Sequence, residues 1–102
     1  MTYLLCFEFP TEGPFGDEAV AAYAELAADI AGTDGLVWKV WTEDPDNSRA
    51  GGVYLFTDGA AAQRYAAKHA ARLASFGVTD VRLAAFGVNE ELSVLASPTR
   101  PF

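Results

Sequence analysis

The chain has little of three things that often direct a sequence toward a known chemistry: cysteine, histidine and basic side chains. Its 102 residues include one cysteine, Cys6, and one histidine, His69, so an internal disulfide and a zinc site of cysteines and histidines are both excluded. Seven Lys and Arg residues stand against fourteen Asp and Glu residues, which gives a net charge of -7. Because the basic residues form no stripe, nucleic acids and anionic membranes are poor partners.

Long apolar runs are missing as well. No stretch approaches the roughly 20 apolar residues that a membrane-spanning helix needs, and the start of the chain lacks the basic residues of a signal peptide. Glycine-rich phosphate loops, nucleophile elbows and clusters of metal ligands are also lacking, so a nucleotide-binding protein, a hydrolase and a metalloenzyme are not favoured, and no metal is expected. We therefore expect a soluble cytoplasmic protein that forms one domain over residues 1–102.

Alternating hydrophobic patterns predict four strands and two long helices. The strands are predicted at residues 3–9, 36–43, 52–57 and 78–88, and the helices begin near Asp17, as N-cap, and near Asp58. A short helix is predicted from about residue 89, followed by an extended arm over residues 97–102. The order β-α-β-β-α-β predicts a ferredoxin-like α+β fold, with both helices on one face of an antiparallel sheet.

The strand at residues 36–43 is apolar on both faces, with Lys39 between Val37 and Trp41 on one of them. Sorting all strand residues by parity predicts two faces. The face expected under the helices contains Leu5, Phe7, Trp38, Val40, Val53, Leu55, Val81 and Leu83. The opposite face collects Cys6, Glu8, Lys39, Trp41, Tyr54, Phe56, Arg82 and Phe86.

A bare aromatic face of this size favours association, so the sequence predicts a homodimer with the two sheets face to face. Such paired sheets can enclose a cavity for a small aromatic ligand, lined by the second set. The alternative is a filled dimer core in which Glu8, Lys39 and Arg82 pair with one another. We favour the cavity, because three ionisable groups are costly in a dry core.

Five parts of the chain carry a resemblance to a known family: residues 13–16 (GPFG), 38–43 (WKVWTE), 50–58 (AGGVYLFTD), Lys68-His69 with Ala71-Arg72-Leu73, and Val88-Asn89-Glu90 before Leu92-Ser93. They resemble the YdhR-type mono-oxygenase family. The resemblance runs in order to about Ser93 and implies a dimeric α+β barrel, with relatives that include cofactor-independent oxygenases of aromatic polyketides and quinol-type substrates. Glu8 departs from the family, in which a neutral or basic residue, often His, is expected in the first strand.

The predicted function is a cofactor-independent mono-oxygenase that uses O2 on a small aromatic or polyketide-like substrate. Glu8 or a bound water would remove a substrate proton, and Lys39 or Arg82 would stabilise the carbanion. A polyketide-type cyclase or isomerase and a non-catalytic ligand-binding dimer are the alternatives. The predicted substrate-binding residues are Cys6, Trp41, Tyr54, Phe56 and Phe86, with Phe15 as an accessory at the mouth and His69 as an accessory on the helix side, away from the cavity.

Overall fold

The structure, a computed structural model, describes residues 1–99. The elements follow in the order β1 (Tyr3–Pro10), α1 (Gly16–Ala31), β2 (Leu36–Asp44), β3 (Arg49–Phe56), α2 (Gly59–Ser75), β4 (Arg82–Gly87) and α3 (Glu90–Leu95), with a 3-10 turn at Pro45–Asn47 between β2 and β3. The predicted β-α-β-β-α-β order is confirmed. The extended arm predicted for residues 97–102 lies partly outside the described residues.

The four strands form one antiparallel sheet in the order β2-β3-β1-β4. This arrangement confirms the ferredoxin-like class, because the two central strands are the first and third along the chain. The fourth strand is shorter than predicted, since β4 begins at Arg82. Within residues 1–99, none of the helices is long and apolar enough to cross a membrane.

The two long helices begin in different ways. The carboxylate of Asp58 accepts the backbone N–H of Ala61 at 2.8 Å, as an N-cap does, and this bond lowers the pKa of Asp58. The prediction of Asp17 as the N-cap of α1 is wrong, because α1 already begins at Gly16. Its first N–H donates instead to the carboxylate of Glu43, at 3.0 Å from Oε2 and 3.3 Å from Oε1. A distant residue of β2 therefore takes the role that the local sequence assigned to Asp17.

Both long helices lie on one face of the sheet, which we call the helix-side face. The rings of Tyr54 and Phe56 in β3 contact Tyr65 of α2, and Trp41 of β2 stacks on Tyr23 of α1. Residues of the helices and of the sheet together form the buried cluster between them: Leu5, Phe7, Ile30, Tyr54, Phe56, Ala61, Ala62, Tyr65 and Leu73.

The predicted assignment of residues to the two faces is wrong between β1 and β3. The register pairs Leu5 with Tyr54 and Tyr54 with Lys39, so these residues lie on the same face. A one-residue offset between two strands transfers every side chain of one of them to the other face. The helix-side face therefore carries Leu5 and Phe7 together with Lys39, Trp41, Tyr54 and Phe56. The opposite face, which we call the outer face, carries Cys6, Glu8, Trp38, Val40, Val53, Leu55, Arg82 and Phe86.

Candidate functional site

A cavity of about 530 Å³ lies between α1 and the helix-side face of the sheet. This volume is within the range of small-molecule sites, which are mostly apolar with a few polar groups. The small side chains of Ala19 and Ala22 in α1 leave the space open. Lys39, Trp41 and Tyr54 contribute to the sheet wall, and His69 of α2 lines the buried end.

Lys39 is the cationic side chain of the sheet wall. Its Nζ atom lies 3.5 Å from the centroid of the Trp41 ring and 4.7 Å from the centroid of the Tyr54 ring. The ring faces attract an ammonium group, whereas burial disfavours the charge. Burial, with the nearby Arg72 guanidinium, lowers the pKa of Lys39 to about 7. A substantial share of the Lys39 side chains is therefore neutral at pH 7.

Gly52 has no side chain, and this leaves space for Lys39 and Tyr54 to lie close together. A Cβ atom at position 52 would lie 2.8 Å from Cε of Lys39 and 3.2 Å from the hydroxyl oxygen of Tyr54. Contacts below about 3 Å force one of the groups to move, so a side chain here would displace the Lys39 stem. The absence of a side chain at this strand position therefore shapes the cavity.

Tyr54 and His69 form a buried polar pair beside Lys39. The hydroxyl oxygen of Tyr54 lies 3.3 Å from Nε2 of His69. Burial raises the pKa of Tyr54, so its hydroxyl keeps its proton. Burial and the positive charges of Lys39 and Arg72 lower the pKa of His69 to about 4, so the imidazole is neutral at pH 7.

Arg72 connects this pair to the helix surface. Its Nε and Nη2 atoms lie 3.3 Å and 3.2 Å from Nδ1 of His69, and its Nη1 atom donates to Oδ2 of Asp29 at 2.8 Å. A continuous chain of contacts thus runs from Asp29 in α1 to the hydroxyl group of Tyr54. The Arg72 guanidinium, together with Lys39 in its charged form, makes this end of the cavity attractive to anions, although the whole chain carries a net charge of -7.

The Trp41 ring has two neighbours within the chain. Tyr23 stacks on it with ring centroids 5.9 Å apart and an interplanar angle of 17°, and Lys39 lies over the ring as well. A flat ligand would therefore have to displace Lys39 in order to stack on the face of Trp41 that Lys39 covers. The predicted role of Trp41 in stacking a substrate stays a prediction, with this condition attached.

Four of the sequence-predicted site residues share the cavity: Lys39, Trp41, Tyr54 and His69. The prediction that His69 lies away from the cavity is wrong, because α2 packs over the strand face that carries Lys39. Phe56 also lies on this face, but it is fully buried in the cluster beneath the helices. Phe15 precedes α1 next to the mouth residues Gly13 and Pro14, and its catalytic relevance stays a prediction.

The other four predicted residues, Cys6, Glu8, Arg82 and Phe86, lie on the outer face. The prediction that they share one chamber with Lys39 is wrong, for the reason of register given above. Glu8 forms an ion pair with Arg49, which neighbours it across the β1–β3 ladder. Arg82 is the β4 residue opposite Glu8 and is exposed. An acid on this face is separated from Lys39 by the sheet itself.

The sequence-based site left out Arg72, Asp29 and Tyr23. Arg72 could have been found, because it follows His69 by three residues on a helix and such residues are neighbours. Asp29 and Tyr23 carry no such local signal, since their partners lie in other elements. Among residues 1–99, no three His, Cys, Asp or Glu side chains lie close enough together to hold a metal ion.

The model of the family described as "Putative mono-oxygenase ydhR" matches residues 4–98. The chain belongs to this family. Three solved structures have a similar fold to this ydhR-family chain. One is a point mutant of SnoaB, described as a cofactor-independent oxygenase from Streptomyces nogalater, with 20% identity, a TM-score of 0.61, and coverage of 86% of this chain and 93% of that one.

The second is described as a "putative antibiotic biosynthesis monooxygenase" from Deinococcus radiodurans, with 16% identity, a TM-score of 0.55, and coverage of 87% and 93%. The third, named protein YJCS, has 12% identity, a TM-score of 0.62, and coverage of 87% and 100%. No individually curated protein matches the chain. At these low identities, the similarity to the three solved structures shows the fold of the chain and nothing more.

Proposed function

We propose that the chain is a cofactor-independent mono-oxygenase that binds a small aromatic or polyketide-like substrate in the cavity between α1 and the sheet. The observation that carries this proposal is the meeting of a lysine of lowered pKa, Lys39, with the Tyr54–His69 pair at the buried end of an aromatic-walled cavity. Membership of the mono-oxygenase family and the fold shared with SnoaB support the same conclusion.

Lys39 takes the role of base that the sequence assigned to Glu8. Its neutral amine accepts a proton from an acidic substrate group, such as a phenol or a CH2 group between aromatic or carbonyl carbons. A base is most effective when its pKa lies near the working pH, and that of Lys39 is lowered to about 7. The ammonium that results stabilises the substrate anion, and the protonated Tyr54 hydroxyl is placed to donate to it.

The substrate anion then reacts with O2. An electron pair of the carbanion ends in a new C–O bond, and the hydroperoxide that forms after protonation loses water. For a CH2 group, one oxygen atom remains as a carbonyl, and the other leaves as water with the two hydrogens that the carbon loses. The oxygen molecule is the oxidant in this balance, and the protein supplies proton transfer and charge stabilisation.

The homodimer predicted from the sequence is retained in this proposal, with the outer face as its interface. Val40 and Phe86 on that face are 52% and 53% exposed, and Leu92 and Leu95 of α3 are exposed as well. Exposed apolar groups of this kind favour association. The cavity lies on the other side of the sheet, so each subunit has a site of its own. A cytoplasmic location also belongs to the proposal, supported by the single cysteine.

The test is O2 consumption with a panel of quinols and polyketide phenols, measured together with product formation. We expect one O2 consumed per product, and a loss of roughly 10²-fold or more in kcat for Lys39→Met, as for the loss of a general base. Arg64→Met removes an exposed basic side chain of α2 that faces Asp34, and it should leave kcat unchanged.

Product formation without O2 uptake would mean that the chain is a cyclase or isomerase and not an oxygenase, since those enzymes need the same proton transfers. Tight binding without turnover would make the chain a ligand-binding dimer. Full activity in Lys39→Met would overturn the role of Lys39 in any of these enzymes.

A further inference from the structure

The two guanidinium contacts to His69 determine where its proton lies. Nε and Nη2 of Arg72 both face Nδ1 of His69, at 3.3 Å and 3.2 Å. A guanidinium group has donors and no acceptor. Nδ1 must therefore present its lone pair, and the single proton of the neutral imidazole is carried by Nε2.

Protonation of both nitrogens is disfavoured by the same geometry, because an Nδ1–H group would face two N–H groups of a cation. The charged groups near His69 act in the same direction, since Lys39 and Arg72 both repel an imidazolium. Asp29, the acid of α1, has its carboxylate on the far side of the Arg72 guanidinium. Three uncharged rings also pack against the imidazole: those of Phe7 on β1, Tyr54 on β3 and Tyr65 on α2.

The fixed proton on Nε2 sets the direction of the next hydrogen bond. Nε2–H donates to the hydroxyl oxygen of Tyr54, 3.3 Å away, so this oxygen acts as an acceptor toward His69. The hydroxyl proton of Tyr54 is left to donate elsewhere. One acceptor is the neighbouring hydroxyl of Tyr65, whose interaction with Tyr54 contributes, after burial, to the raised pKa of Tyr54. The other is a ligand in the cavity, and an oxyanion there is the stronger acceptor.

Asp29 holds the guanidinium in the orientation that these bonds require. Its Oδ2 accepts from Nη1 at 2.8 Å, while the other two nitrogens are directed to the imidazole. The side chain of Arg72 is mostly buried, at 17% exposure, so this fork is held between α1 and α2. A lysine has no planar fork and could not make all three contacts.

We propose that Arg72, held by Asp29, is a positioning residue that fixes the proton of His69 on Nε2, so that the Tyr54 hydroxyl donates to the oxyanion of the bound substrate. This inference rests on the proposed function for the nature of the ligand. The tautomer of His69 is a property of the protein alone, and it can be measured without turnover.

Because the chain contains one histidine, ¹⁵N NMR of histidine-labelled protein reports on His69 without ambiguity. We expect an unprotonated Nδ1 and a protonated Nε2 from pH 8 down to pH 5. In Arg72→Met, both tautomers should be populated and the midpoint of titration should rise by at least one pH unit. Arg64→Met is the matched control, since Arg64 is on the same helix and faces Asp34 at 3.7 Å on the surface.

If Arg72→Met does not fold, Asp29→Asn provides the same test, because it releases the guanidinium without removing it. A protonated Nδ1 in the unmodified protein would overturn the inference. An unchanged tautomer in Arg72→Met, or in Asp29→Asn where Arg72→Met does not fold, would overturn it as well, even if O2 consumption is demonstrated. Conversely, a fixed Nε2–H tautomer in a protein that consumes no O2 would refute the proposed function and leave the positioning by Arg72 intact.

The second readout is binding of 4-nitrophenol, whose absorption distinguishes phenol from phenolate. We expect the bound form to be the phenolate, and Tyr54→Phe to weaken binding about tenfold, or about 1.4 kcal/mol. Arg72→Met should weaken binding in the same way, and the double variant should be no weaker than Tyr54→Phe, because Arg72 acts through Tyr54. Binding of the neutral phenol, additive losses, or no binding at all would overturn the oxyanion role.

Discussion

The ammonium group of Lys39 lies 3.5 Å from the centre of the Trp41 ring, and Tyr23 stacks on the same indole. The only lysine of the sheet is thus held over an aromatic ring, in a cavity where burial works against its charge. This conflict makes the charge of Lys39 easy to change, either by pH or by a ligand. It has consequences that can be measured in the folding equilibrium as well as in catalysis.

The charge of Lys39 should make stability depend on pH above neutrality. Its pKa is lowered from 10.5 to about 7, so between these values the unfolded chain binds a proton that the folded chain does not. The unfolding free energy contributed by Lys39 therefore rises as the pH rises from 7 to about 10. Lys39→Met should be more stable than the unmodified protein at pH 6, by on the order of 1 kcal/mol after allowance for partial exposure.

Urea unfolding at pH 6, 8 and 10 checks this prediction. The advantage of Lys39→Met should shrink steadily across the series, whereas Gln63→Met, which changes an exposed uncharged residue of α2, should show a constant difference from the unmodified protein. A Lys39→Met curve parallel to that of the unmodified protein would mean that the lysine titrates as it does in the unfolded chain.

His69 should add a second dependence on pH, on the acid side. Its pKa is lowered from 6.5 to about 4, so between these values the unfolded chain takes up a proton that the folded chain does not. Stability is therefore lost as the pH falls from 6.5 toward 4. His69→Gln removes this titration and should lose less stability than the unmodified protein between pH 7 and pH 4.5, measured by urea unfolding. Equal losses in the two proteins would contradict a buried neutral histidine.

Much of the fold could be predicted from the sequence, because alternation within a strand is a local property. The pairs of neighbouring strands β2 with β3 and β1 with β4 were assigned correctly: Lys39 shares a face with Tyr54, and Glu8 shares a face with Arg82. The relation between β1 and β3 could not be predicted in the same way. These strands are separated in the chain by a helix and β2, so no turn fixes their register, and an error of one residue exchanged the faces.

The same error explains which parts of the site could be predicted. Lys39, Trp41 and Tyr54 were grouped correctly because β2 and β3 are consecutive strands of a hairpin. The contact of Tyr54 with His69 was missed, because α2 reaches Tyr54 only once β3 lies with Leu5 and Phe7 beneath the helices. Lys39 thus lines a cavity, as the sequence predicted. That cavity lies between the helices and the sheet, however, and not between two paired sheets.

Two neighbouring glycines of β3 should respond very differently to alanine. At Gly52, the new Cβ would meet the flexible end of Lys39 at 2.8 Å, so the lysine can move and the protein should fold with a loss of about 1–3 kcal/mol. At Gly51, the Cβ would lie 1.9 Å from the backbone oxygen of Phe7, and the β1–β3 ladder cannot yield as easily. We expect Gly51→Ala to fold poorly.

Thermal unfolding, combined with 4-nitrophenol binding, separates the two effects. Gly52→Ala should retain a cooperative transition but lose binding, because the displaced Lys39 stem fills the space beside Tyr54. Normal binding in Gly52→Ala would show that the ligand does not use this part of the cavity. A fully stable Gly51→Ala would contradict the close approach of β1 and β3.

The outer face should hold two copies of the chain together, and a single charge should separate them. Val40 is 52% exposed on the outer face, whereas Val20 is 70% exposed on α1. Burying an unpaired carboxylate in an interface costs several kcal/mol, so Val40→Glu should shift the protein from dimer to monomer in sedimentation at micromolar concentration. Val20→Glu, the matched control, should remain dimeric. A monomeric unmodified protein would overturn the dimer.

Because the cavity lies within one subunit, the Val40→Glu monomer should still bind 4-nitrophenol. A loss of binding that accompanies dissociation would mean that the partner contributes to the site.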